Sequence, residues 1–137
     1  MQSGVFKIDK QTGKTKNYRF SPLDPTSISS NNFDEIQKTP IIVDKDQNIW
    51  FGTRNGLNYY QRAKDVFVRF FSLQGGTNSL SSNNINTMYL DENNLWVGTP
   101  AGLDRIDTKT MEVERYAGTK WFSMVGVHTV IEILPFK

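Results

Sequence analysis

The chain has 137 residues, of which 37% are hydrophobic, 22% charged and 12% aromatic, with a formal net charge of +2 and no cysteine. This composition is typical of a folded domain, and basic residues scattered among acidic ones disfavour a nucleic-acid partner. Without cysteine, disulfides, thiolate metal sites and cysteine nucleophiles are excluded. No stretch approaches the about eighteen apolar residues of a membrane span, and residues 1–3 show no feature of a signal peptide.

The first predicted element is the strand-like segment Gly4–Asp9, whose pattern returns twice along the chain. Its copies are Gly56–Gln61 and Gly102–Asp107, at intervals of 52 and 46 residues. A period of this length is close to that of propeller blades and longer than that of helical repeats. Residues 1–26 are therefore predicted to form strands C and D of an incomplete first blade, followed by a linker.

A serine- and asparagine-rich motif opens the second predicted unit. This motif, Ser27–Asn32, returns as Ser79–Asn84 after 52 residues, whereas the tryptophan segments Ile49–Thr53 and Leu95–Thr99 lie 46 residues apart. The six additional residues must lie between the two motifs, and we place the insertion near residues 34–39.

One tryptophan and one glycine recur at matched positions of the predicted strand B in the two complete units. Trp50 and Trp96 each stand two residues before a glycine, Gly52 or Gly98. We expect the tryptophans to pack between blades and the glycines to leave room for the backbone of a neighbour.

The turn after strand B aligns without a gap in the two complete units. It comprises Thr53–Gly56 and Thr99–Gly102, with Pro100 at the first turn position of the second copy. A three-residue turn fits both copies, since Gly56 and Gly102 can then take a positive φ without a side-chain clash.

The third predicted unit shows four short runs rich in β-branched and aromatic residues, separated by turn-forming clusters. These predicted strands A to D are Ile85–Leu90, Asn94–Gly98, Leu103–Ile106 and Glu112–Tyr116. The last segment diverges from the repeat and offers one further strand near residues 127–131. The predicted units after the first are residues 27–78 and 79–116, followed by a divergent tail at 117–137. The sequence thus predicts an all-β fold, a partial β-propeller of about two and a half to three four-stranded antiparallel blades.

A family resemblance rests on Ser79–Asn83, Asp91, Leu95–Thr99, Gly102–Leu103 and Asp107. With these residues the sequence resembles the two-component regulator propeller repeat, found in periplasmic sensor regions of hybrid histidine kinases. The resemblance implies a ligand-sensing, non-enzymatic module in the periplasm, with a ligand derived from carbohydrate. Because the predicted strands are too few to close a ring, we expect the remaining propeller blades, or another copy of the chain, as partners, and we expect no cofactor.

Two features that suggest metal or acid–base chemistry are better explained as structural. The turn Asp44–Asn48 has the spacing that opens a calcium loop, but Ile49 stands where the glycine belongs and no acidic residue stands at the twelfth position. His128 is the only histidine, so a multi-histidine metal centre or a triad with a histidine base is unavailable. We predict neither a metal site nor a catalytic residue.

Ligands of propellers commonly bind where the B–C and D–A connections meet. Six residues of this chain fall in those connections or in the tail after the third unit, and Trp121 has a ring that can stack on a sugar. These candidate ligand-binding residues are Arg54, Asn55, Asp24, Gln74, Asn78 and Trp121.

The leading hypothesis is a fragment of a ligand-sensing propeller from a hybrid two-component regulator. Two alternatives stay open: a fragment of a propeller glycosidase or lyase, and a truncated gene product with no independent function. The lack of a plausible acid–base cluster favours the first hypothesis over the enzyme.

Overall fold

The computed structural model describes residues 4–33 and 40–116, and all of its regular elements are β-strands. The ten strands are β1 (Val5–Ile8), β2 (Thr15–Tyr18), β3 (Ile41–Val43), β4 (Ile49–Thr53), β5 (Gly56–Gln61), β6 (Val66–Phe70), β7 (Thr87–Asp91), β8 (Asn94–Thr99), β9 (Gly102–Asp107) and β10 (Val113–Arg115). The predicted all-β class is confirmed. The predicted insertion at 34–39 and the predicted strand near 127–131 lie outside the described residues. Within the described part of the chain, no helix is long and apolar enough to cross a bilayer.

The strands form three antiparallel sheets in which neighbours in sequence are neighbours in space. The first sheet contains β1 and β2, the second runs β3-β4-β5-β6, and the third runs β7-β8-β9-β10. Such meanders follow from the short turns between strands, because antiparallel strands can be joined by a few residues.

The β4–β5 and β8–β9 turns are tighter than the sequence suggested. The ladders pair Thr53 with Gly56 and Thr99 with Gly102, which leaves two residues between the paired positions instead of three. The glycines take the predicted positive φ, +108° at Gly56 and +140° at Gly102. A side chain at Gly56 would also meet the carbonyl oxygen of Phe70 at 2.8 Å, so the position excludes a Cβ on two grounds.

The second and third sheets pack through a shared apolar core around Trp50. The indole is fully buried, stacks on Tyr59 at 4.3 Å between ring centroids, and lies in one cluster with Leu95 and Val97 of the third sheet. Backbone bonds tie the same two sheets, since the amide of Ile85 donates to the carbonyl of Thr53 at 2.8 Å. Trp50 therefore packs between the two sheets.

Gly52 leaves room for side chains rather than for a backbone. A Cβ at this position would lie 2.5 Å from Cγ of Pro40 and 2.6 Å from Cγ2 of Ile85, the latter on the way into the third sheet. Gly98, the matching residue, is buried, and its carbonyl accepts the amide of Asn86 at 2.9 Å.

Trp96 differs from Trp50 in its burial. Trp96 is half-buried and its ring lies 5.5 Å from that of Tyr116, on a sheet face that no described element covers. The contrast arises because Trp50 has the third sheet against it, whereas the described residues place nothing comparable against Trp96.

Candidate functional site

The candidate face is the end of the sheets formed by the β4–β5 and β8–β9 turns and by the β2–β3 and β6–β7 connections. Contacts between these segments place them together, because the amide of Gly56 donates to the carbonyl of Asn83 at 2.6 Å. The side-chain amide of Asn55 also donates to the carbonyl of Ser29 at 3.2 Å. The face is therefore built from the repeated serine–asparagine motif and the tight turn.

Each motif is anchored in its sheet by a buried polar side chain. The amide of Ser29 donates to Oδ1 of Asn58, and Nδ2 of Asn58 donates to Oγ of Ser29, both at 2.8 Å. In the third sheet Asp104 accepts from the amide of Ser81 at 2.8 Å and from its hydroxyl at 2.6 Å. Asn58 and Asp104 are fully buried, and burial raises the pKa of Asp104 although the bonds from Ser81 lower it.

Two arginines secure the connections from the last strand of each sheet. Nε of Arg69 donates to the carbonyl of Ser27 at 2.6 Å, and Nε of Arg115 donates to the carbonyl of Ser79 at 2.7 Å. Each guanidinium also contacts the hydroxyl of the same serine. Sequence reasoning missed both arginines, although their separation of 46 residues repeats the interval of the tryptophans.

The asparagine of each motif accepts a hydrogen bond from a backbone amide just after the last strand of the preceding sheet. Oδ1 of Asn31 accepts the amide of Phe20 at 2.6 Å, and Oδ1 of Asn83 accepts the amide of Ser72 at 2.7 Å. The motif residues at this end thus hold the fold together, which limits the side chains available to a ligand.

Two of the predicted ligand-binding residues, Asp24 and Asn55, are engaged in local structure. Oδ1 of Asp24 accepts the amide of Thr26 at 2.9 Å and its hydroxyl at 2.7 Å, and these bonds lower the pKa of Asp24. Asn55 is tied to Ser29 as described above. Both side chains are exposed, but Oδ1 of Asp24 and Nδ2 of Asn55 already have partners.

Of the other candidates, Asn78 contributes to the structure of the third sheet. Asn78 adopts a positive φ of 56°, and its Oδ1 accepts the amide of Val113 at 2.6 Å, which completes the edge of β10. Arg54 and Gln74 are exposed on the candidate face, and Trp121 lies outside the described residues. All five described candidates are exposed, and Arg54 and Gln74 have the longest side chains among them.

A second polar group, which we call the tyrosine–aspartate cluster, joins the first two sheets. Asp65 accepts from the hydroxyls of Tyr18 and Tyr60, the latter at 2.6 Å, and pairs with Lys16. The amino group of Lys7 donates to the hydroxyl of Tyr60 at 3.2 Å. These bonds, led by that from Lys16, hold the pKa of Asp65 far below its usual range, while burial and Asp65 raise the pKa of Tyr18.

An apolar pocket of about 310 Å³ adjoins the tyrosine–aspartate cluster, between the first and second sheets. Its walls include Lys7, Tyr18, Phe51, Tyr60 and Phe67. No residue of this pocket was among the predicted ligand-binding residues.

The opposite end of the sheets carries the acidic turns and a cleft of about 450 Å³. Oδ1 of Asp44 accepts the amides of Asp46 at 3.0 Å and Asn48 at 2.9 Å, and Oδ2 accepts the hydroxyl of Tyr59 at 3.1 Å. Within residues 4–33 and 40–116, no three His, Cys, Asp or Glu residues are grouped to hold a metal ion. The carboxylate of Asp44 thus serves the hairpin turn.

Comparison with known protein families finds a match for one segment of the third unit. Residues 79–101 match the family described as two component regulator propeller. This segment includes the serine–asparagine motif, β7 and β8, which contain most of the residues on which the resemblance was based, while Gly102, Leu103 and Asp107 lie beyond it. No curated protein matches the chain.

Two solved structures from B. thetaiotaomicron share the fold. One is the extracellular domain of a protein described as a hybrid two component system, with 19% identity and a TM-score of 0.63. The other is the extracellular domain of one described as a one component system, with 23% identity and a TM-score of 0.58. Each comparison covers 85% of this chain, but only 16% and 14% of the two structures.

The chain therefore spans less than a fifth of the length of these domains. At such identities the likeness concerns the fold, and the match to the family model is limited to residues 79–101. The predicted partial β-propeller is confirmed, and the chain carries the two component regulator propeller repeat at residues 79–101.

Proposed function

We propose that the chain is part of a ligand-sensing β-propeller of a hybrid two-component regulator, with a binding or signal-relay role and no catalysis. The match of residues 79–101 to the two component regulator propeller family carries this proposal. The fold shared with an extracellular domain of a hybrid two component system supports it. The same likeness supports a periplasmic location.

The chemistry of the acidic turns supports a non-catalytic role. Oδ1 of Asp9 accepts the amides of Gln11 at 2.8 Å and Thr12 at 3.1 Å, and Asp107 holds the equivalent turn of the third sheet in the same way. These backbone bonds lower the pKa of both carboxyl groups. A general acid in glycoside hydrolysis needs a raised pKa, so these groups are poorly suited to that role.

A carbohydrate-derived ligand suits the accessible groups of the candidate face. Arg54 and Gln74 are exposed there, and their guanidinium and amide groups can donate hydrogen bonds to sugar hydroxyls. Further blades, or another copy of the chain, complete the surface around them in this proposal.

Binding of oligosaccharides to the full chain tests the proposal. A panel of oligosaccharides is added to the purified chain, and the shift in melting temperature and the release of cleaved sugar are recorded together. We expect at least one sugar to raise the melting temperature and no sugar to be cleaved. The double variant Arg54→Ala/Gln74→Ala should lose the shift.

The matched control for this experiment is Lys45→Ala/Lys109→Ala, which removes two side chains from the cleft at the opposite end of the sheets. This control should retain the shift. Cleavage of the sugar would instead support the glycosidase or lyase alternative. No shift with any sugar, or an equal loss of the shift in both double variants, would contradict binding at the candidate face.

A further inference from the structure

The pocket between the first and second sheets has a counterpart elsewhere in the same chain. Between the second and third sheets, the corresponding space is filled by the indole of Trp50. That ring lies 4.3 Å from Tyr59 and 5.6 Å from Phe70, in one cluster with Val97 and Ile106 of the third sheet. The second sheet, which has all four strands, therefore shows that the tryptophan of its second strand occupies the space between two consecutive sheets.

The pocket is lined by the equivalents of the residues around Trp50. Moving back 52 residues from Tyr59 and Phe70 leads to Lys7 and Tyr18, which line the pocket. Moving back 46 residues from Val97, Ile106 and Val113 leads to three further lining residues, Phe51, Tyr60 and Phe67. The pocket is thus the position of Trp50 shifted by one repeat.

The edge of β1 next to the pocket has the backbone features needed to pair with a further strand. In the second sheet β5 pairs with both β4 and β6, whereas among the described residues β1 pairs with β2 alone. Gly4, just before β1, has a φ of +111°, close to the +108° of Gly56 after the β4–β5 turn. In that turn the hydroxyl of Thr53 donates to the carbonyl of Gly56 at 2.7 Å. The carbonyl of Gly4 is the matching acceptor for a threonine on an added strand.

We propose that the edge of β1 and the adjoining pocket bind an extended strand of the pattern apolar–Trp–x–Gly–Thr, supplied by a partner segment that takes the place of strand B in the incomplete first blade. The strand would run antiparallel to β1 with its tryptophan opposite Lys7 and its threonine opposite Gly4, as Trp50 lies opposite Tyr59 and Thr53 opposite Gly56. Its indole fills the pocket. The proposal names one partner of the proposed sensor and rests on the repeat geometry, independently of any sugar ligand.

The chemistry of the pocket adds a preference for an aromatic ring over an aliphatic side chain. The amino group of Lys7 lies 5.7 Å from the ring centroid of Tyr60 at the pocket wall, within reach of a second ring placed there. Tyr18, Phe51 and Phe67 supply aromatic walls for edge-to-face contacts. The strands β4 and β8 of another copy are each held by two neighbours in their own sheets, so a free strand is the better occupant.

The test uses the full chain and a labelled peptide with the sequence of residues 46–53, which carries the strand pattern of β4. Fluorescence anisotropy should show saturable binding. The same peptide with alanine in place of tryptophan should bind at least about tenfold more weakly, a loss of about 1.4 kcal/mol. Amide exchange should slow in residues 5–8 when the peptide is bound.

Two variants of the chain separate the pocket from other surfaces. Lys7→Trp places a ring at the pocket wall and should weaken binding by a similar factor, whereas Lys45→Trp, at the opposite end of the sheets, should leave it unchanged. Circular dichroism checks that each variant folds, and if Lys7→Trp does not, the alanine peptide alone decides.

Three results would overturn the proposal: no saturable binding, equal binding of the two peptides, or binding without protection of residues 5–8. Free indole that displaces the peptide and binds with no change in exchange at β1 would show a small-molecule pocket instead. None of these results depends on sugar binding, so the failure of this proposal and the failure of the sensing proposal are distinguishable.

Discussion

Asn58 and Asp104 occupy equivalent buried positions and bind equivalent serines, but only Asp104 carries a titratable group. Their bonds to Ser29 and Ser81 have nearly the same lengths. The two side chains therefore have the same hydrogen-bond geometry, but only the one at position 104 can carry a charge. Burial disfavours the charged form of Asp104, and the bonds from Ser81 offset only part of that cost.

The variant Asp104→Asn should raise stability at neutral pH by about 0.5–1.5 kcal/mol, the scale of one net hydrogen bond. Since the folded-state pKa of Asp104 is raised above its unfolded value near 3.9, the folded state holds more protons between the two values. The wild-type chain thus loses stability as pH rises through that window, and the loss persists at higher pH. The variant does not titrate there, so its advantage should disappear below about pH 4.

Urea unfolding of both proteins between pH 3 and pH 8 measures this difference. The matched control is Asn58→Asp, which should introduce the opposite effect, a loss of stability that grows above about pH 4. Parallel pH profiles for wild type and Asp104→Asn would show that the carboxylate is not penalised in the folded state.

At the scale of strands, the sequence predicted most of what the structure contains. The predicted runs of the third unit coincide with β7 to β10 within two residues at each end, because alternating β-branched and aromatic residues between turn formers specify short strands. The positive φ at Gly56 and Gly102 also followed from the aligned turns.

The parts of the site that escaped prediction are those made across strands. The bonds of Arg69 to Ser27 and of Arg115 to Ser79 join residues 42 and 36 positions apart, which no local pattern reveals. The tyrosine–aspartate cluster joins different sheets in the same way. It also breaks the repeat, since Asp65 stands where the third sheet has the apolar Met111.

The two tryptophans of the matched strands β4 and β8 should differ in their contribution to stability. Trp50→Ala should destabilise by about 3–5 kcal/mol, because it removes a fully buried ring from the core between two sheets. Trp96→Ala should cost less, about 1–2 kcal/mol, because its half-buried ring loses less apolar contact. Chemical denaturation of both variants compares them directly. Equal losses would show that the two rings are buried to the same extent.

At the scale of the whole molecule, burial follows the order of the sheets. In β5 of the middle sheet five consecutive residues are buried, since the first and third sheets lie on either side. In β9 of the third sheet buried and half-buried residues alternate, and in β1 most residues are exposed. The sequence predicted the blades from their period, but the order of burial depends on which faces have neighbours and required the structure.

The central claim is that the second and third sheets stack as consecutive blades, and one contact reports it most directly. The space beside Gly52 is filled by the γ2 methyl group of Ile85, and the amide of Ile85 is bonded to the carbonyl of Thr53. A nuclear Overhauser effect between the α protons of Gly52 and the γ2 methyl of Ile85, measured in the full chain, tests the stacking. We predict a strong effect together with slow exchange of the Ile85 amide. No effect, with the Ile85 amide exchanging as in an unfolded chain, would contradict the stacked arrangement.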